Sequence, residues 1–174
     1  MRLLLANLLL LLSAASFATV ENRLPETRYV VYLFLAEDCI ICQQYTPLLN
    51  ELYREFASRD LEFIGLFPNR FSNTRTIEAF RDKFKVEFPL KTDYFQTKAT
   101  AMAAKVTPQA VIYDRQLERI LYSGRIDNTY YALGQRRRVT TSSELKTALQ
   151  ALQAGAAELP ASNEAVGCLI QYHQ

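Results

Sequence analysis

Two of the three cysteines, Cys39 and Cys42, are separated by two residues in the segment LFLAEDCIICQQYTP. A C-x-x-C pair can be a dithiol redox centre, two ligands of a metal site, or an inert structural disulfide. The three chemistries require different surroundings of the pair, so the secondary structure around the two cysteines helps to distinguish them.

The cysteine pair follows a predicted strand and opens a predicted helix. Residues 28–36 (RYVVYLFLA) are rich in β-branched and aromatic residues, and the segment from Cys42 onward has apolar residues at helical spacing. Cys39 therefore falls near a helix N-terminus, where unpaired N–H groups and the helix dipole stabilise a thiolate. This placement predicts that Cys39 is an exposed nucleophile of lowered pKa, with Cys42 as its more buried partner.

The remaining elements predict an α/β fold. Their order is β-α-β-α-α-β-β-α, which implies a mixed sheet with helices on both faces. The further predicted strands and helices are strands 61–67, 109–114 and 119–124, a helix from Asn73, a helix capped by Thr92 or Asp93, and a final helix ending at Gly155. Residues 156–174 have no periodicity and are expected to form an extended tail.

The first eighteen residues, MRLLLANLLLLLSAASFA, are typical of a signal peptide. Ser16 and Ala18 suit the −3 and −1 positions of a cleavage site, and the apolar run is short for a membrane span, which needs roughly 20 residues. The alternative is a retained N-terminal anchor. We expect residues 1–18 to be removed, leaving a domain over residues 19–155 and a tail over 156–174 that are exported, to the periplasm in a bacterium. Disulfides persist in such a compartment.

Composition and net charge further restrict the classes of function that the chain can have. The chain is 49% hydrophobic and 22% charged, which is typical of a globular domain. Its formal net charge of +2 gives no support for nucleic-acid binding.

Two prolines give the cysteine pair a family context. Pro47 stands five residues after Cys42, and Thr107-Pro108 immediately precedes a predicted strand. With C-x-x-C at a helix start, this pattern resembles the thioredoxin superfamily, and residues 28–155 are similar to its redoxin group, which includes AhpC/TSA-like and TlpA/ResA-like proteins.

The resemblance implies a thioredoxin fold and thiol–disulfide exchange with a protein partner. Cys39 would attack, Cys42 would resolve, and Pro108 would be a cis-proline that contacts the partner. A cis bond would place the Thr107 backbone beside the cysteines, where it can pair with an extended substrate strand. No cofactor is implied, but the cycle needs an electron donor, either linked to the membrane or periplasmic.

Several positions depart from the thioredoxin pattern. Asp38 stands where thioredoxins have Trp, and an acid beside Cys39 is expected to raise the pKa of that thiol. Leu33 replaces a buried acid, and Ile40-Ile41 lie between the cysteines. These departures argue against a general thioredoxin-like reductase.

Cys168, in the tail segment EAVGCLIQYHQ, is the third thiol and has four interpretations. It is a small buried residue of a docked tail, a redox thiol that attacks the Cys39–Cys42 disulfide, a link to a second chain, or a metal ligand. With Cys39, Cys42 and His173 it would form a soft site for Cu(I) or Zn, resembling the Sco-type copper-delivery proteins, whose motif is C-x-x-x-C. A metal-binding or delivery module is therefore the alternative function.

Two arginine features have weaker interpretations. A peroxidase would need Thr or Ser before the catalytic cysteine and a partner arginine, for which Arg125 is a candidate that no motif places. The run Arg136 to Arg138 is predicted to be a solvated loop, with a docking patch for an acidic partner or an anion as the alternative.

Overall fold

The computed structural model describes residues 27–172. The predicted signal peptide and His173 lie outside the described residues. The elements, in chain order, are β1 (Tyr29–Phe34), α1 (Ile40–Phe56), β2 (Leu61–Phe67), α2 (Thr74–Phe84), β3 (Leu90–Thr92), α3 (Thr97–Ala101), β4 (Val106–Thr107), β5 (Gln109–Asp114), β6 (Arg119–Gly124), β7 (Tyr130–Ala132), β8 (Gln135–Arg136), α4 (Glu144–Gln153) and β9 (Cys168–Leu169).

The main sheet has five strands in the order β3-β2-β1-β5-β6. β1 is parallel to β2 and β2 to β3, whereas β5 is antiparallel to both β1 and β6. The predicted mixed sheet and thioredoxin fold are confirmed. β1 is the central strand, and the cysteine pair follows its C-terminal end. The pair therefore lies beside the middle of the sheet, at the end where β1 stops.

The two faces of the sheet carry separate apolar clusters. Val31 and Leu33 of β1 point to one face, where they pack with residues of α1, α2 and α4, whereas Val30 and Tyr32 point to the other and pack with residues in and just after α3. Alternating side chains of one strand thus enter both clusters, as the pleat requires. Burial on both faces explains why β1 is an almost continuous apolar run.

α1 is a single helix that continues through Pro47. Proline has no N–H group, so the carbonyl of Gln43, four residues earlier, loses its helical donor. The hydroxyl of Thr46 donates to that carbonyl at 2.9 Å and replaces the missing bond.

The third predicted helix is wrong in length. We expected a helix starting from a cap at Thr92 or Asp93, but α3 covers only Thr97–Ala101, and Gln96 before it has a left-handed φ of 55°. The carboxylate of Asp93 still accepts from the backbone N–H groups of Lys98 and Ala99, at 3.1 and 2.8 Å. The predicted N-cap position is therefore wrong, because the N-cap residue is Gln96, but Asp93 still supplies capping hydrogen bonds from outside the helix.

Candidate active site

The loop between β1 and α1 places Cys39 at the N-cap of α1. Its carbonyl accepts from the backbone N–H of Gln43 at 3.1 Å, which closes the first helical turn. Glu37 anchors the loop, because its carboxylate accepts from the hydroxyls of Ser72 at 2.6 Å and Thr76 at 2.8 Å. Sequence reasoning missed this anchor, since no spacing rule links Glu37 to the start of α2.

The loop before β5 meets Cys39 from the opposite side. The Thr107-Pro108 peptide bond is cis, and the Thr107 carbonyl oxygen lies 3.2 Å from Cys39 Sγ. The structure thus brings together the two regions that the sequence places 68 residues apart. A Cys39 thiol donates to this carbonyl, and a thiolate loses that bond.

Hydrogen bonds to the sulfur favour the thiolate of Cys39. The thiol of Cys42 is the strongest donor, the thiol of Cys168 and the backbone N–H groups of both residues add to it, and burial opposes them, so the pKa of Cys39 is lowered to about 5. The pKa of Cys42 is raised, first by its complete burial and then by its interaction with Cys39. The arrangement therefore holds one thiolate and one protonated partner near neutral pH.

The extended tail returns to this site and brings Cys168 with it. Cys168 Sγ lies 2.9 Å from Cys39 Sγ, and all three cysteines are free thiols. Burial and the interactions with Cys39 and Asp38 raise the pKa of Cys168 to about 12. Cys168 is therefore a donor to the Cys39 thiolate in the reduced protein.

Two expectations about Cys39 need correction. We expected an exposed nucleophile, but the residue is only 1% exposed. We also expected Asp38 to raise the pKa of Cys39, yet this pKa is lowered, and the charge of Asp38 acts on Cys168 instead. Asp38 is exposed to solvent, and the hydrogen bonds that the Cys39 sulfur receives from Cys42 and Cys168 determine the direction of the shift.

Among the arginines flagged in the sequence, Arg125 and Arg137 donate to oxygen acceptors away from the C-x-x-C motif in sequence. Arg125 donates through Nε to the buried carboxylate of Glu144 at 2.8 Å. Arg136 to Arg138 are exposed, as predicted, but Arg136 lies in strand β8 and only Arg137 and Arg138 lie in a loop. Arg137 donates to the carbonyl of Asn128 at 2.8 Å.

A cleft of about 990 Å³ opens beside the cysteines. Its lining includes Asp38, Thr107 and Cys168, together with the exposed apolar side chains of Phe71 and Leu133. An apolar rim around a thiol site is a surface that a protein partner can contact.

Comparison with known protein families identifies the family to which the chain belongs. The family model of AhpC/TSA matches residues 12–122. The chain belongs to the AhpC/TSA family. Among proteins with curated functions, none matches this AhpC/TSA-family sequence.

Solved structures support the fold of this AhpC/TSA-family protein. A hypothetical protein of Sinorhizobium meliloti 1021 is 22% identical with a TM-score of 0.70, and 84% of this chain aligns with 81% of that one. An uncharacterized conserved protein of Geobacillus kaustophilus is 20% identical with a TM-score of 0.69, over 84% and 78% of the two chains. A putative thiol:disulfide interchange protein DsbE of Chlorobium tepidum is 18% identical with a TM-score of 0.52, over 75% and 80%.

Proposed function

We propose that this protein is an exported thiol–disulfide oxidoreductase that acts on protein thiols and disulfides. The observation that carries the proposal is the Cys39 sulfur itself. It lies at the N-cap of α1, receives hydrogen bonds from a buried Cys42 that keeps its proton, and contacts the cis-proline loop. Membership of the AhpC/TSA family, which the match over residues 12–122 establishes, is consistent with thiol chemistry.

In the reducing direction, the Cys39 thiolate attacks one sulfur of a partner's disulfide. That bond breaks, a mixed disulfide forms between Cys39 and the partner, and the partner's other sulfur leaves as a thiolate that takes a proton. Cys42 then gives up its proton and attacks Cys39, which releases the second partner thiol and leaves a Cys39–Cys42 disulfide. Two electrons have passed to the partner.

Thr107 and Pro108 hold the partner in this scheme. The backbone of Thr107 pairs with an extended segment of the partner, as sheet edges do with peptide strands, and Pro108 fixes the loop beside Cys39. A membrane-linked or periplasmic reductant restores the dithiol, and the predicted signal peptide brings the protein to that compartment. Within residues 27–172 no helix is long and apolar enough to cross a bilayer.

The test is a thiol count by mass after alkylation, with the mature protein, residues 19–174, equilibrated across a glutathione redox series. We expect Cys39 and Cys42 to titrate together as a two-electron couple, in the wild type and in Cys168→Ser. Cys39→Ser removes the couple. A pair that stays oxidised at every ratio contradicts the proposal and indicates an inert disulfide.

The same alkylation assay addresses the metal alternative. Among the described residues, no group of three or more His, Cys, Asp or Glu side chains is arranged to hold a metal ion. Two of the three thiols also keep their protons at neutral pH, and a metal would have to displace them. Protection of Cys39, Cys42 and Cys168 together by one equivalent of Cu(I) would establish the metal module instead.

A further inference from the structure

The tail covers the nucleophile by forming a strand on the cis-proline loop. β9 pairs antiparallel with β4, with Cys168 opposite Thr107 and Leu169 opposite Val106. The backbone N–H of Ile170 donates to the carbonyl of Lys105 at 3.0 Å and extends the pairing. This is the position in which the proposed function places the strand of a partner protein.

The chain is shaped for this contact at Gly167. A Cβ atom at that position would lie 2.1 Å from the Thr107 carbonyl oxygen and 2.6 Å from its carbon. Both are backbone atoms, so no side-chain movement relieves the overlap. Only glycine before Cys168 lets the tail approach closely enough for Cys168 Sγ to lie 2.9 Å from Cys39 Sγ.

A second glycine, Gly124 at the end of β6, allows close contact with the part of the tail that precedes Cys168. A Cβ at Gly124 would lie 2.5 Å from the carbonyl oxygen of Asn163, and the backbone N–H of Arg125 donates to that same oxygen at 3.1 Å. Beyond the cysteine, the side chain of Gln96 donates to the carbonyl of Gln171 at 2.8 Å. The tail is therefore held on both sides of Cys168, which argues against a chance contact.

We propose that the C-terminal strand is a built-in substrate of the site, and that Cys168 exchanges disulfides with Cys39. The inference rests on the proposed function and deepens it. When Cys39 and Cys42 form a disulfide, the Cys168 thiolate attacks Cys39 Sγ, the Cys39–Cys168 bond forms, and Cys42 leaves as a thiolate that takes the proton. One disulfide replaces another, so the step needs no added oxidant. A partner's strand reaches Thr107 only after the tail leaves.

The protonation states make this exchange conditional on oxidation. In the reduced protein the pKa of Cys168 is raised by burial and by its interactions with Cys39, so Cys168 is a donor and not a nucleophile. Once Cys39 is in a disulfide, it no longer carries a negative charge. Its hydrogen bond and its charge interaction with Cys168, which both raise the pKa of Cys168, are then lost. Cys42 is completely buried, a poor environment for a leaving thiolate, so the wild-type protein returns to the Cys39–Cys42 bond.

The experiment therefore removes Cys42 and follows the fate of Cys39. The Cys42→Ser variant of the mature protein, residues 19–174, is treated with oxidised glutathione, and its disulfides are mapped by mass spectrometry. Cys39 displaces one glutathione and forms a mixed disulfide, and Cys168 then displaces the second. We expect a Cys39–Cys168 bond within one chain as the main product, with two molecules of reduced glutathione released.

Two further variants test whether strand docking directs the bond. Gly167→Val in the Cys42→Ser background should slow formation of the Cys39–Cys168 bond about ten-fold or more, because the added side chain meets the Thr107 carbonyl. Ala161→Val, at an exposed tail position, should leave the rate unchanged. Equal rates in all three proteins would overturn the docked-strand inference.

The outcomes also separate the two proposals. A lasting Cys39–glutathione adduct with an alkylatable Cys168 would contradict the proposal that the C-terminal strand is a substrate. It would be consistent with the proposed oxidoreductase function. A disulfide between two chains, revealed by the doubled mass, likewise overturns it. If Cys39 does not react with glutathione at all, both proposals fail.

Discussion

At the residue scale, the neighbours of the Cys39 sulfur determine its reactivity. Its largest stabilising contact is the thiol of Cys42, which lies in the first turn of α1 and keeps its own proton because it is buried. The C-x-x-C spacing thus does more than allow a disulfide. It supplies a hydrogen-bond donor to the thiolate from within the same helical turn.

This dependence predicts the pH profile of alkylation. In the reduced wild-type protein, the rate at which iodoacetamide modifies Cys39 should rise with a midpoint near pH 5, because only the thiolate reacts and the pKa is lowered to about 5. In Cys42→Ala the midpoint should move up toward the ordinary thiol value of about 8.5, since the strongest donor is gone. Peptide-resolved mass spectrometry measures both rates.

Asp38→Asn is the matched control for this profile. The charge of Asp38 raises the pKa of Cys168 and is not among the main causes that set the pKa of Cys39, so the substitution should leave the midpoint where it is. A clear fall of the midpoint in Asp38→Asn would support the expectation drawn from the sequence and contradict the structure.

At the element scale, the tail depends on the edge of β6. Ser162 donates to the carbonyl of Ser123, and Asn163 accepts from the backbone of Arg125, next to Gly124. These contacts fix the path of the tail before it reaches β4, so the strand pairing at Thr107 relies on a contact at the other end of the segment.

Gly124→Val should release the tail. The new side chain would overlap the Asn163 carbonyl and Ser162, so the amide of Ile170 should lose its protection from hydrogen exchange by about ten-fold or more. Arg119→Val, an exposed substitution on the same strand, is the control. Unchanged protection in Gly124→Val would show that the tail is held from Gly167 onward alone.

The longer elements could be predicted from the sequence, and the short ones could not. β2, β5 and β6 have the predicted bounds, because each is a run of apolar and β-branched residues closed by polar turns. β4 and β9 have two residues each, and such strands are defined by their partner rather than by any pattern of their own. The cysteine pair and the Thr107-Pro108 loop were recognisable from motifs, but the burial of Cys39 under the tail was not, since it depends on the close approach at Gly167.

At the scale of the whole molecule, the predicted export would decide which redox partners are available. The sequence predicts cleavage after Ala18, so the protein recovered from the periplasm of an expressing bacterium should begin at Thr19. Intact-mass measurement distinguishes this from the full-length chain. Recovery of the full-length chain from the membrane fraction would instead indicate a retained anchor, with the domain still facing the oxidising compartment.

Because the tail is tethered to the domain, a partner needs a minimum affinity to displace it from the Cys39 site. Cys168 is joined to α4 through the segment 154–167, so its concentration at the Cys39 site is fixed by the linker and does not fall on dilution. Short linkers give effective concentrations on the order of millimolar. A partner present at micromolar levels must therefore bind about a thousand-fold more tightly than the tail to hold the site for half of the time. The protein's own C-terminal strand would then compete with each partner for the Thr107 site. Only partners that bind this site tightly enough to displace the strand would be substrates.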